Sequence, residues 1–485
     1  MEKIQSQNFL GEAKLGKLML KFSIPCVLSL LVSALYNIVD QIFIGHSELS
    51  ALGNAATGVV FPVFVIAQAF AWCIGDGCAA YLNISQGKGD KQTLHKTVGG
   101  CVTVTLIVSG VLLAVFYPLK TNLLYLFGAS ENSISYAVKY FDIIVAFFPV
   151  FMLSNMLNSV IRADGSPAFS MASMLAGAVT NIALDPAFIF GCKWGMAGAA
   201  WATVAGQTVS FAISIAYFFK SKTFKLKAKS FVPSPKAVLP AVRLGISTFI
   251  TQMTIVIVAV VSNVMLVKYG ALSEYGKDIP IAVIAIENKV YTIVINIVVG
   301  VILGCQPVIG FNLGCGNYGR VKKLYLYILA VTLAVGAVAT VLFEACPSAI
   351  VGIFGTPDGG QNISPELYRE FGVKTFRVFL MLIMFTCTVK MTSIFFQALG
   401  KPVLAIIASL VRDIVCFVPL VCTLPLAMGI DGCLLAAPIA DAIAMAVTVA
   451  LTIVCFRDFN KTAKNRISAD ICAVECELKD ENTAD

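Results

Sequence analysis

The sequence predicts an all-α polytopic membrane protein whose twelve transmembrane helices form two six-helix bundles. Three observations carry this prediction. Hydrophobic residues make up 58% of the 485 and charged residues only 13%, with a mean hydropathy of +0.86, where soluble domains carry about 25% charged residues. Apolar runs near the length needed to cross a bilayer as a helix, about 20 residues, recur about a dozen times. Three turn sequences also recur in the same order in the two halves of the chain.

The runs fall at about 17–44, 51–83, 95–119, 136–161, 167–190 and 195–219, then 238–268, 280–312, 323–346, 369–398, 402–427 and 430–456. They are continuous and lack period-two alternation, which excludes barrel strands of about ten residues. About 23 Lys and Arg gather in the loops on one side, among them Lys14, Lys88, Arg162, Lys222, Lys227, Arg320 and Lys401, against about seven on the other. Both termini are therefore expected in the cytoplasm, in a multi-pass protein of the plasma membrane. The same bias accounts for the formal net charge of +8 without nucleic acid. The polar N-terminus has no short apolar stretch ending in a small-residue cleavage site, so the first helix is expected to direct insertion. The 15 cysteines are odd in number and lie mostly in apolar spans, which suits packing residues better than a disulfide or zinc framework.

Between spans two and three stands SQGKGDKQTLHK, and between eight and nine NLGCGNYGRVKK. RADGSP after span four matches QALGKP after span ten, while GMAGAA opens span six and GIDGCL span twelve. Six spans follow six, so the halves share one orientation, as in parallel repeats that transport by rocking of one half against the other. The expected units are residues 1–219, a basic linker at 220–237, a second bundle at 238–456 and a polar, disordered tail at 457–485 with no assigned role. No strand precedes the G-x-G pairs, so they read as tight turns and not as phosphate loops.

Asp185, within NIALDPAFIF, carries the first functional signal. An acid at the centre of a membrane helix costs about 2.5–3.5 kcal/mol on insertion scales and reads by default as a functional site. Asn181 is one helical turn away on the same face. Pro186 has no N–H for the carbonyl of Ile182, leaving a third kind of oxygen free nearby. Clustered oxygens of this sort suit a hard cation or a proton, and they point to an ion-coupled transporter.

VDQIFIGH at 39–46, NIALDPAFIFG at 181–191, PVIGFNLGCGNYGRVKK at 307–323 and the basic connection between the halves together resemble the multidrug and toxic compound extrusion (MATE) family, especially its DinF-like branch. The resemblance spans nearly the whole chain. It implies a V-shaped pair of bundles that opens alternately to either side. It also implies a multidrug efflux antiporter, of a kind linked to antibiotic resistance, that exports organic, often cationic compounds against inward proton or sodium flow. On that resemblance the cation site comprises Tyr36, Asp40, Asn181, Asp185 and Thr203, with sodium held by Asp40, Asn181, Asp185 and Thr203. No cofactor beyond the coupling ion is implied. The expected partners are small organic cations, drugs and membrane lipid, and the protein is expected to be a monomer.

Helical rise supports the grouping. Measured from the basic side, Asp40 and Asp185 lie about 28 and 27 Å deep, and Thr203 about 12 Å from the opposite side. Two carboxylates at one desolvated level resist joint ionisation unless a cation lies between them. Pro25 is the expected hinge for a rearrangement of the first helix. The second half does not repeat this chemistry. It offers Glu287 as a substrate or second proton site, an ion pair of Arg412 with Asp441 or Asp413, and Lys390 snorkelling toward an interface.

A flippase for lipid-linked precursors is the nearest alternative and would need several basic groups free at mid-membrane. The spans contain no metal-ligand or nucleophile motif, which argues against an enzyme. Two unlike halves argue against a symmetric channel filter.

Overall fold

The structure is a computed structural model that describes residues 10–45, 50–129, 131, 133–219, 221–276, 278–353 and 364–481. The first half comprises α1 (Leu15–Gly45), α2 (Ser50–Gly87), α3 (Lys91–Leu126), α4 (Ile134–Ala146), α5 (Phe148–Ala163), α6 (Pro167–Pro186) and α7 (Met196–Phe218). The second comprises α8 (Pro235–Gly270), α9 (Asp278–Gly314), α10 (Tyr318–Ala345), the short α11 (Pro347–Ile353), α12 (Pro365–Phe379), α13 (Ile383–Ala398), α14 (Pro402–Leu410), α15 (Val418–Met428) and α16 (Ile430–Glu481). Ten spans are single helices or joined segments. Two are bent pairs, α4 with α5 at 57° and α12 with α13 at 52°. Counting each pair once gives the twelve spans expected, and the two bends occupy equivalent places in the halves. Pro149 opens α5, where a missing N–H costs nothing.

Spans five and eleven each contain a widened π-helical turn, at Ala187–Gly191 directly after Pro186 and at Val411–Phe417 just before Pro419. The repeated turns also agree in backbone. Gly89 and Gly316 have φ of 76° and 79°, Gly165 and Gly400 78° and 72°, and Gly195 and Gly429 54° and 61°, values that only glycine adopts cheaply. The linker is docked, not loose. Gln86 donates to Thr223 at 3.0 Å, Thr103 donates to the Phe231 carbonyl at 2.6 Å, and Ser230 is 1% exposed. Contrary to the expected disorder, the tail continues α16 as helix to Glu481. The sequence from Lys461 to Glu481 contains neither glycine nor proline to stop it. His46 lies outside the described residues.

One apolar core belongs wholly to the first half, around Val63, Phe141, Phe148 and Phe151. The other two are shared. Leu15, Leu18 and Phe22 of α1 join the core of the second half, while Val238 and Ala241 of α8 join a core of the first. The shared residues lie toward the helix ends that carry the termini, and glycines allow the backbones to meet there. A Cβ at Gly304 would approach Ser23 Cα at 2.6 Å, and one at Gly300 would approach Val27 Cα at 2.6 Å. Ser23 donates to the Val301 carbonyl at 2.9 Å and, farther from the termini, Asn296 donates to the Leu30 carbonyl at 3.4 Å; farther out still, no hydrogen bond joins the spans of the two halves among the described residues. The bundles are therefore sealed together on the terminus-bearing side. Gly304→Leu should part this seam and speed labelling of buried Cys305 by an impermeant thiol reagent, as read by mass spectrometry. Unchanged protection would contradict the seal.

Candidate cation-binding site

Four helices of the first bundle converge on one polar cluster. Because i and i+4 share a helix face, α1 presents Tyr36 with Asp40, and α6 presents Asn181 with Asp185. Asp185 is fully buried and Asn181 is 2% exposed. The carboxyls of Asp40 and Asp185 are neighbours in the cluster. Neither oxygen of Asp185, nor Asp40 Oδ1, nor either polar atom of the Asn181 amide has a donor or acceptor among the described residues. A carboxylate can only accept. A proton or a cation between the two would satisfy both.

The remaining predicted residues surround the pair. Tyr36 is in hydrogen-bond contact with Gln207 of α7, and Thr203 of the same helix with Tyr140 of α4, whose phenol lies near Asp40, Asp185 and Tyr36. The sequence reading missed Gln207 and Tyr140, because a neutral polar residue in an apolar span carries no insertion penalty large enough to mark it. The donors are hard oxygens, which suit a proton or sodium. The wide turn after Pro186 begins immediately beside Asp185, and such turns are frequent at functional sites. Pro25 lies inside the unbroken α1, where Ser29 donates to its carbonyl at 2.7 Å.

Asp76 was also missed, although WCIGDGCAAY carries the same signal as Asp185. It is 7% exposed, accepts from Ser159 at 2.7 Å and faces Arg162 at 3.5 Å. Arg162 therefore does more than mark a loop. It folds back from the last turn of α5 to satisfy a buried acid.

The second bundle places Arg412 between Asp441 and Asp413, both at 2.9 Å. Lys390, expected to snorkel, instead pairs with Asp413 at 3.0 Å. The reason is energetic, since an acid that shares its arginine with a second acid gains from another cation in a dry interior. Glu287 is 1% exposed and lies in the field of Arg412, with no ion pair among the described residues. It does not join the first-bundle cluster.

The chain matches the MatE family over residues 25–187 and 247–423. It belongs to that family. It is thus a MATE-family efflux transporter, a carrier and not an enzyme, embedded in a membrane through many spans. Multidrug export protein MepA of Staphylococcus aureus strain NCTC 8325 is 28% identical over 354 residues, covering 70% of this chain and 74% of that protein. MepA of Staphylococcus haemolyticus is 25% identical over 351 residues, covering 72% and 75%. Among solved structures, a MOP superfamily transporter from Pyrococcus furiosus has a TM-score of 0.86 at 21% identity, covering 93% of this chain and 98% of that one. A multidrug resistance MATE family transporter described as outward-facing has a TM-score of 0.85, also at 21% identity and with the same coverage. These two likenesses establish the fold. Within it, Asp441→Ala would strip Arg412 of one of its two acids. It should destabilise the transporter by about 3–5 kcal/mol, the usual cost of breaking a buried pair. The check is a lowered midpoint of thermal unfolding, and an unchanged midpoint would remove Asp441 from the structural pairing.

Proposed function

We propose that this MATE-family transporter exports organic, often cationic drugs from the cell, driven by inward flow of protons or sodium ions. The carrying observation is the set of orphaned atoms on Asp40, Asn181 and Asp185, buried oxygens and an amide whose cost is offset when a coupling ion binds. The Staphylococcus relatives, named as multidrug export proteins, support drugs as the cargo. The excess of Lys and Arg in the loops beside the termini supports a cytoplasmic position for that side of the plasma membrane. The sealed seam is then the cytoplasmic gate in its closed state, with the ion site on the outer side of it. An ion loaded there neutralises the pair and lets α1 shift, with Pro25 as hinge, so that the bundles rock and open inward. The flippase reading is weakened by Arg412 and Lys390, whose charges are already matched by Asp413 and Asp441.

In proteoliposomes, efflux of a fluorescent organic cation should follow an imposed proton or sodium gradient. Asp40→Asn and Asp185→Asn should each slow it by about tenfold or more, the rate equivalent of 1.4 kcal/mol. If both variants kept full gradient-driven efflux, the coupling role of the pair would be wrong.

A further inference from the structure

Asp164 stands on the turn between α5 and α6, at the rim that carries the termini, yet it is only 2% exposed. Its Oδ2 accepts from the Tyr217 phenol at 2.6 Å and from the Lys222 amide at 2.7 Å. Its Oδ1 accepts from the Thr223 amide at 3.0 Å and from the Thr223 hydroxyl. Tyr217 also reaches the Ser166 hydroxyl at 2.9 Å. Above this pair, buried hydroxyls climb the interface of α6 with α7. Ser170 donates to Asn158 at 2.9 Å, and the Ser173 hydroxyl lies 2.9 Å from that of Ser214 and 3.0 Å from that of Ser210. Ser154 donates to Ser210 at 3.2 Å. One step higher the two helices cross at Gly177 and Gly206, where added Cβ atoms would come within 3.1 Å of Ser210 Cβ and Asn181 Cβ respectively. Beyond that crossing stand Asn181, Gln207 and the carboxylate pair.

The second bundle provides an internal control for a purely structural role. In the register that aligns Gly165 with Gly400 and Gly195 with Gly429, the counterparts of Asp164, Ser170, Ser173 and Ser210 are Leu399, Ala405, Ala408 and Ala444. The counterparts of Asn158 and Ser214, however, are Ser393 and Thr448, both buried, so the matching interface turns apolar at four of these six positions. At those four the fold dispenses with the polar group, and its presence in the first bundle calls for another explanation.

Each hydroxyl both accepts and donates, so a file of them can pass a proton by taking one hydrogen and releasing another. We infer that this file is the exit path by which a coupling proton leaves the Asp40–Asp185 pair for the cytoplasm, with Asp164 as its last acceptor. One O–H bond breaks at the carboxyl pair and one forms at the Asp164 carboxylate. The hydroxyls keep their hydrogens in number, and Asp164 passes the proton on to water at the rim. The groups facing Asp164 are Tyr217 on α7 and Lys222 and Thr223 of the linker. Burial raises its carboxyl above the ordinary range, against the opposing pull of the bonds from Thr223, Tyr217 and Lys222, which suits a proton acceptor. The file is interrupted in this conformation. Among the described residues no side-chain hydrogen bond links Tyr217 or Ser166 to Ser170, or Ser170 to Ser173, and Ser173 donates to the Ser210 carbonyl at 2.8 Å. The glycine crossing carries no hydroxyl, so the path conducts only when these gaps close.

This inference rests on proton coupling, and the test separates the two claims. Proteoliposomes holding a pH dye would report proton flux driven by an organic cation in the wild type, Asp164→Asn, Asp164→Glu and the double variant Ser173→Ala with Ser210→Ala. Cargo binding and one-for-one cargo exchange, which need no net proton movement, would be read alongside. The path predicts a fall in flux of about tenfold or more for Asp164→Asn and the double variant, with binding and exchange retained, and recovery in Asp164→Glu. Wild-type flux in both would overturn the exit path and leave proton coupling standing, as would loss of exchange together with flux, the mark of a structural role. A wild type that moves sodium and no protons with cargo would overturn proton coupling, and the path with it.

Discussion

A carboxylate in a dry helix bundle has to be neutralised, hydrogen-bonded or paired, and each half of this molecule meets that demand differently. In the second bundle, Arg412 and Lys390 neutralise Asp413 and Asp441 outright, and the result is a rigid ionic cross-brace among α13, the π turn and α16. In the first, Asp40 Oδ1 and both oxygens of Asp185 have no hydrogen-bond partner among the described residues. The proposed coupling ion would satisfy these atoms. Everything else proposed for the transporter depends on this one unsatisfied pair. The proposed loading of the pair acts on α1, and α1 is also the helix whose Phe22 and Val27 seal the seam against α9.

The asymmetry is informative because the two halves descend from one plan. Their glycine turns match in φ, their bent spans coincide, and both place a π turn in the fifth helix of the half. Against that common frame, polar residues present in only one half stand out. The first bundle carries an open polar interior on both sides of the Gly177–Gly206 crossing. The second has alanine and leucine at four of the matching positions, buried Ser393 and Thr448 at two others, and a closed ionic network. The unpartnered carboxylate pair of the first half and the ionic network of the second support the proposed rocking of one bundle against the other.

Much of this was legible in the sequence, for physical reasons that differ from residue to residue. The spans showed because hydrocarbon demands long apolar runs. The repeat showed because positive φ demands glycine. Asp40, Asp185 and Glu287 showed because an acid in an apolar run is costly enough to be conspicuous. The same rule applied to Asp76 would have found it. Tyr140 and Gln207 were invisible, since neither pays a penalty that marks it and their place in the site depends on helix rotation. Lys390 was misread because depth along a helix says nothing about which neighbour lies across it. The helical tail was misread because polar composition was taken for disorder, although nothing in the sequence after Phe459 breaks a helix.

The most direct test of the central claim is the protonation state of the carboxyl pair itself, measured by infrared difference spectroscopy of the C=O stretch in lipid as pH is lowered or sodium is added. The account predicts a buried protonated-carboxyl band that is present in the wild type at neutral pH or displaced there by sodium, and that is altered in Asp185→Asn and Asp40→Asn alone. A spectrum in which no buried carboxyl responds to either ion, or in which the response survives both substitutions, would contradict it.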